Sequence, residues 1–335
     1  MLYWAAEFFA AVPGMSDANT LKVFIAPEFY FRRASEREVD KRSFRRSTSF
    51  GSYPECVRYQ LAEALYGVIQ ASPLFSDWLI VAGTVCSVLP PTDAENDGGR
   101  MNLLNTAIML RGQRASADAS VPYVLMEKHY ISNIDGPPDD YHANEDPTTV
   151  FSFRRNPDFE LDNLIHWDGM TVGLEVCLDH SEQVLVNAVD TLQDAIGPDA
   201  QLPDLQLITS CGMNVEEEAV AVRDGGLVLL TDGMSRFSRD LPEPRFRVGR
   251  FNAAAGTVQF LDPQTQFQFC QLQGDDNYEV NYCGGLYAQK GRRQGVWCAK
   301  QPLPMHPPLA TRGQQVKSGN LAAQLIPAAQ VTGGR

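Results

Sequence analysis

The stretch HWDGMTVGLEVCLDH, His166 to His180, decides how the chain is read. Asp168-Gly169 between apolar flanks is a tight-hairpin signal, so two antiparallel strands should meet there. In the second strand Thr171, Gly173, Glu175 and Cys177 alternate with Val172, Leu174 and Val176. A strand sends successive side chains to opposite faces, which predicts that Glu175 and Cys177 share one. Cys177 closes the apolar run just before the polar turn Asp179-His180.

Outward from this stretch, strand-like and helix-like runs recur along the chain. MLYWAAEFFAAV carries Glu7 and no basic leader, and reads as an amphipathic helix and not a signal peptide. LKVFIAPEFYF (21–31), DWLIVAGTVCSVL (77–89), LLNTAIML (103–110) and PYVLMEKHYI (122–131) read as strands. PECVRYQLAEALYGVIQ (54–70) has helical spacing. After the opening stretch come a helix in QVLVNAVDTLQDAIG, a strand in DLQLITSC, a helix start in EEEAVAVRDGG, and late strands in LVLLTDG and AAGTVQFLD. Mixed order of this kind predicts a layered α/β domain.

The 335 residues carry 28 basic and 41 acidic side chains, a net charge of −13. Such a surface repels phosphate backbones, so nucleic acid is not an expected partner. No apolar run approaches the ~20 residues needed to span a bilayer, so no membrane role is expected. Seven scattered cysteines do not make a disulfide scaffold, and the expected compartment is the cytoplasm. Residues 32–46 hold seven basic and three acidic side chains and read as a solvated insertion. From Gln301 onward the chain is rich in Pro, Gly, Gln and Ala, which predicts one domain over 1–300 and an extended tail over 301–335.

Three places put a reactive side chain at or just after an apolar strand: Glu28 in FIAPEFYF, Lys128 in VLMEKHYI and Cys177. Carboxyl ends of strands in α/β sheets are where ligands bind. Glu127, next to Lys128, should point to the opposite face. Burying an acid, an amine and a thiol separately is costly, whereas grouping them lets their charges offset one another. Grouped, the glutamate serves as general base and the cysteine as nucleophile, and a nearby ammonium lowers the thiol pKa. Cys177 and His180 have a Cys-x-x-His spacing, but no second ligand pair accompanies them, so neither a metal nor any other cofactor is expected.

The ordered trio FIAPEFYF, VLMEKHYI and GLEVCLDH resembles the nitrilase superfamily of carbon–nitrogen hydrolases, whose triad is Glu, Lys, Cys in that order. DWLIVAGTV, LLNTAIML and LPDLQLITSCG resemble supporting strands of the same family, and the likeness spans about residues 1 to 265. It implies a four-layer α-β-β-α sandwich, with Glu28 as base, Lys128 as transition-state stabiliser and Cys177 as nucleophile. It further implies an oxyanion-hole N–H at Leu178, a supporting aspartate at Asp179, and a second, substrate-placing glutamate, for which Glu145 is the candidate. The reaction implied is hydrolysis of a small amide or nitrile through a cysteine thioester, in a homodimer or larger homo-oligomer. An acyltransferase or a non-catalytic binding protein on the same fold is the alternative. The chain departs from the family at Tyr130 and His180, where histidine and arginine are usual, and it opens on a helix where the family has a strand.

Overall fold

A computed structural model describes residues 1–12, 14, 20–32, 52–89, 102–112, 123–132, 135, 161–167, 170–197, 200–233, 244–271, 295–305 and 319–320. Most predicted elements fall where the periodicity puts them. Helix α1 (Leu2–Ala11) leads to β1 (Lys22–Ile25); the two-residue β2 (Tyr53–Pro54) precedes α2 (Cys56–Gln70). Strands β3 (Trp78–Leu89), β4 (Asn102–Arg111) and β5 (Tyr123–Glu127) complete a first sheet of order β1-β3-β4-β5, with β2 also on β3.

The hairpin of the opening stretch joins β6 (Leu164–Trp167) to β7 (Met170–Val176), with Trp167 opposite Met170. A short helix α3 (Leu178–Ser181), the longer α4 (Val184–Ile196) and β8 (Leu205–Ser210) follow. With β9 (Leu227–Asp232), β10 (Phe246–Asn252), β11 (Thr257–Phe260) and β14 (Gly319–Asn320) they build a second sheet, β11-β10-β9-β8-β7-β6-β14. Its centre, β7-β8-β9, is parallel. After a one-turn helix α5 (Pro263–Gln266), strands β12 (Phe267–Gln271) and β13 (Gly295–Ala299) pair separately. The architecture is mixed α/β.

Period-2 burial explains the packing. From β3, Leu79 and Val81 join Ala107, Met109 and Met126 of the first sheet and Val172, Leu174, Val176 and Leu207 of the second in one apolar cluster. The alternate residues Ile80 and Ala82 pack with Ala5, Ala6, Ala62 and Ile69 of α1 and α2. On the outer face of the second sheet Leu185, Ala188, Val189 and Leu192 of α4 pack with Leu164. Among the described residues no helix is long and apolar enough to cross a membrane.

One expectation changes. EEEAVAVRDGG does not start a helix; only a 3-10 turn forms over Glu217–Ala219. The buried Gln206 amide explains this, because it donates to the Ala219 carbonyl and accepts from the Ala221 N–H, tying the segment to β8 in extended form. The tail also makes contacts: Leu303 and Met305 pack against the shared cluster, and β14 pairs with the edge of β6. Residues 33–46 of the basic insertion, and 306–318 and 321–335 of the tail, lie outside the described residues.

No described strand pairs with the outer edge of β1. A cavity of about 990 Å3 is lined by Val23 and Ile25 of this strand together with Phe267, Phe269 and Trp297.

Candidate active site

Glu28 sits in a turn directly after β1, held from β3. The Phe29 N–H donates to Thr84 Oγ1 (2.8 Å) and the Phe31 N–H to the Thr84 carbonyl (3.0 Å). Phe29 has φ 61°, a left-handed value that a bulky residue adopts only under external restraint. Beneath this turn β3 shifts register between Val81 and Thr84, and Gly83 has φ +88°. A Cβ on Gly83 would lie 2.6 Å from the Pro27 carbonyl oxygen and 2.7 Å from Tyr30 Cβ. Gly83→Ala should therefore destabilise the fold by about 1–3 kcal/mol, measured as a lowered denaturant midpoint. An unchanged midpoint would mean that the turn carrying Glu28 yields freely.

Lys128 follows the last residue of β5, and its N–H donates to the Asn105 carbonyl (2.8 Å). The strand pleat separates it from Glu127, whose carboxylate pairs with Arg58 of α2 on the outer face. Lys128 itself is 1 % exposed. Its Nζ donates to Glu28 Oε1 (2.8 Å) and to Asp135 Oδ2 (2.8 Å). The Asn105 side-chain amide spans the same two acids, donating to Glu28 Oε1 (2.8 Å) and Asp135 Oδ1 (2.7 Å).

Cys177 is buried at the end of β7, with its N–H donated to the Thr209 carbonyl (2.9 Å). It does not share a face with Glu175, contrary to the pleat reading. Cys177 has φ 51°, so the strand alternation ends at Val176, and the thiol belongs to the cluster between the sheets. Glu175 points to the helix side, where it accepts from the Leu185 N–H (3.0 Å) and Gln206 Nε2 (2.8 Å) and meets His180 Nδ1 (2.7 Å). His180 Nε2 accepts from the Glu216 N–H (3.0 Å), which places the ring proton on Nδ1, facing Glu175. Glu175 and His180 thus form a satisfied scaffold under α3 and α4.

Leu178 opens α3, where first-turn N–H groups have no partner within the helix. Asp179 Oδ1 accepts from the backbone N–H groups of His129 (2.9 Å) and Tyr130 (2.8 Å). One carboxylate thereby fastens the turn after Cys177 to the turn after Lys128. Burial pushes the Asp179 carboxyl up to about 6, partly offset by the charge of His129. Glu145 lies outside the described residues.

The three groups shift one another. Burial raises the Glu28 carboxyl to about 7; the Lys128 charge opposes this and the Asp135 charge adds to it. Burial pulls the Lys128 ammonium down, but Glu28 and Asp135 outweigh it, so the net direction is up and Lys128 stays charged. Cys177 is pushed up to about 12, first by burial and then by the Glu28 charge. Lys128 does lower it, as expected, but by less, so the resting sulfur is a thiol. Glu28 Oε2 is buried with no hydrogen bond at ordinary distance, yet the carboxyl and the thiol each shift the other's titration.

Asn105 and Asp135 escaped the sequence reading. An asparagine inside the apolar run LLNTAIML was a usable signal for Asn105, since a buried amide needs partners. Asp135 is one of several acids in the segment after Lys128, and no local pattern separates it from them. Among the described residues no group of three His, Cys, Asp or Glu side chains is arranged to hold a metal.

No protein-family model matches the chain, and no curated protein sequence does. Among solved structures the chain is similar to the glutamine-dependent NAD+ synthetase of Acinetobacter baumannii in complex with adenosine diphosphate. That likeness has 11% identity, covers 72% of this chain and 41% of that one, and has a TM-score of 0.28. The chain thus spans about two fifths of that protein's length.

Proposed function

We propose that this chain is a carbon–nitrogen hydrolase of the nitrilase type that cleaves a small linear amide through a cysteine thioester. The observation that carries the reading is the buried Lys128–Glu28 pair at 2.8 Å, with Cys177 near enough that its thiol and the Glu28 carboxyl shift each other's titration. Helices outside two sheets that share an apolar cluster support the four-layer sandwich implied by the sequence resemblance.

In this reading the Cys177 proton passes to Glu28 as sulfur attacks the amide carbon. Lys128 and the Leu178 N–H stabilise the oxyanion, an interaction worth about 3–4 kcal/mol per donor in other hydrolases. Glu28 returns the proton to the leaving nitrogen as the C–N bond breaks. Water, deprotonated by the same glutamate, then hydrolyses the thioester. A base near neutrality beside a thiol near 12 suits proton transfer concerted with attack better than a standing thiolate. Asp179 holds the two turns in register while this happens.

The test is an ammonia-release screen over ω-amides, N-carbamoyl amino acids and aliphatic nitriles. Alongside it, iodoacetamide labelling at neutral pH is read by peptide mass. Cys177 should label ahead of the other cysteines, and an amide should release ammonia. A Cys177 that labels no faster than Cys86 or Cys298, with no substrate turned over, would favour a non-catalytic binding protein.

A further inference from the structure

We infer that Cys211 is a resolving thiol for Cys177, so that hydrogen peroxide converts the pair to a disulfide and turns the site off reversibly. The inference rests on the hydrolase reading above in taking Cys177 as the reactive thiol. Both are free thiols, and acyl transfer leaves Cys211 unused. It lies one residue past the end of β8, the parallel neighbour of β7. Val176 stands opposite Thr209, and the Cys177 N–H donates to the Thr209 carbonyl (2.9 Å). This register sets Cys177 and Cys211 diagonally across adjacent strand ends. Strands about 4.8 Å apart, rising about 3.3 Å per residue, put such α-carbons about 6 Å apart, and disulfides bridge α-carbons about 4.4–6.8 Å apart.

Both sulfurs face the same space. Along β8, Leu205 and Leu207 join the cluster between the sheets, Ile208 packs on the outer face, and the Thr209 hydroxyl returns inward to the Ala26 carbonyl (2.9 Å). One more alternation turns Cys211 inward as well. Two further contacts agree: the Cys211 N–H donates to the Cys177 sulfur, and the Glu28 charge acts on both thiols. Cys86 of β3 also feels Glu28, but it lies in the other sheet, opposite Asn105, and is 0 % exposed. Cys211 is half-buried. Burial pushes both Cys177 and Cys211 up to about 12, so each is protonated at rest and the first step needs Glu28 as base. Glu28 takes the Cys177 proton as the sulfur attacks one peroxide oxygen. The O–O bond breaks, the proton passes to the departing oxygen, and Cys177 becomes a sulfenic acid with release of one water. The Cys211 sulfur then attacks the sulfenic sulfur. The S–O bond breaks, and the Cys211 proton leaves with the hydroxyl as a second water. The thiols lose two electrons, which the peroxide gains.

The test exposes the full chain to hydrogen peroxide at neutral pH and maps its disulfides by peptide mass without reduction. Ammonia release from an amide is measured before oxidation, after it, and after dithiothreitol. Wild type should give a Cys177–Cys211 cross-linked peptide, lose its activity, and regain it on reduction. Cys211→Ser should hydrolyse amide as wild type does before oxidation. Without the second thiol its Cys177 should pass on to sulfinic acid, which dithiothreitol does not reverse, so its activity should stay lost. Oxidised wild type with no Cys177–Cys211 bridge, or with Cys177 bridged to another cysteine, would overturn the inference. So would a folded Cys211→Ser protein whose activity dithiothreitol restores in full. If Cys211→Ser does not fold, the wild-type peptide map decides. The bridge is read by mass whether or not an amide is cleaved. A Cys177–Cys211 bridge in a protein that turns over no amide would therefore overturn the hydrolase reading and leave the thiol pair standing.

Discussion

Cys177→Ala is expected to lower the proposed amide hydrolysis by about 10^4-fold or more, because among the described residues no other thiol is placed beside both Glu28 and Lys128 to form the acyl intermediate. Cys211 is a nearby thiol, but burial pushes it up to about 12, with the charges of Glu28 and Asp232 adding to the rise. It also stands a strand away, after β8, without the Asp179 tether that couples the Cys177 turn to Lys128. The fold should survive. Removing one sulfur from a site at the end of β7 leaves the strand pairing and the Glu175–His180 scaffold in place, at a cost of about 1–2 kcal/mol. Steady-state ammonia release and a denaturant melt on the same preparation check both halves. Activity retained in the folded variant would remove the thioester route altogether.

Lys128→Met should affect activity and stability together. In the proposed mechanism Lys128 is an oxyanion donor, and losing one such donor costs about 10^2–10^3 in rate. The larger consequence is structural, since Glu28 and Asp135 would remain buried and joined through Asn105 with no cation between them. Breaking a buried pair by removing one partner costs about 3–5 kcal/mol.

That loss should depend on pH, with a definite sign. Burial already raises Glu28 from its model-compound value of 4.5 to about 7, so the folded protein binds a proton there that the unfolded chain has released. Stability associated with Glu28 is therefore full below about pH 4.5 and declines as pH rises towards 7. Without Lys128 the carboxyl rises further and the decline deepens. Urea melts should show a modest deficit for Lys128→Met at pH 5 and a much larger one at pH 8. Equal deficits at both values would mean that the lost side chain mattered for packing and not for charge.

Much of the local architecture was legible in the sequence. Apolar strand-like runs located β3, β4 and β5, helical spacing located α2 and α4, and period-2 alternation located β7; Asp168-Gly169 lies outside the described residues, but its flanks pair as β6 and β7. The alternation also placed Glu127 and Lys128 on opposite faces, and they do pair outward with Arg58 and inward with Glu28. These readings succeed because helix and strand periods are set by backbone geometry within a few residues.

What the tertiary structure decided lies beyond that range. The pleat rule put Cys177 beside Glu175, but the left-handed backbone at Cys177 turned the thiol away, into the space between the sheets. The sequence singled out Glu28 and Lys128, but only packing of β1 and β5 within one sheet brings groups 100 residues apart to 2.8 Å. Asp135 had no pattern to announce it. Its place is set by which buried donors are left for it once Asn105 of β4, Lys128 and Ser132 converge, and that is decided by the folded core and by no stretch of sequence alone.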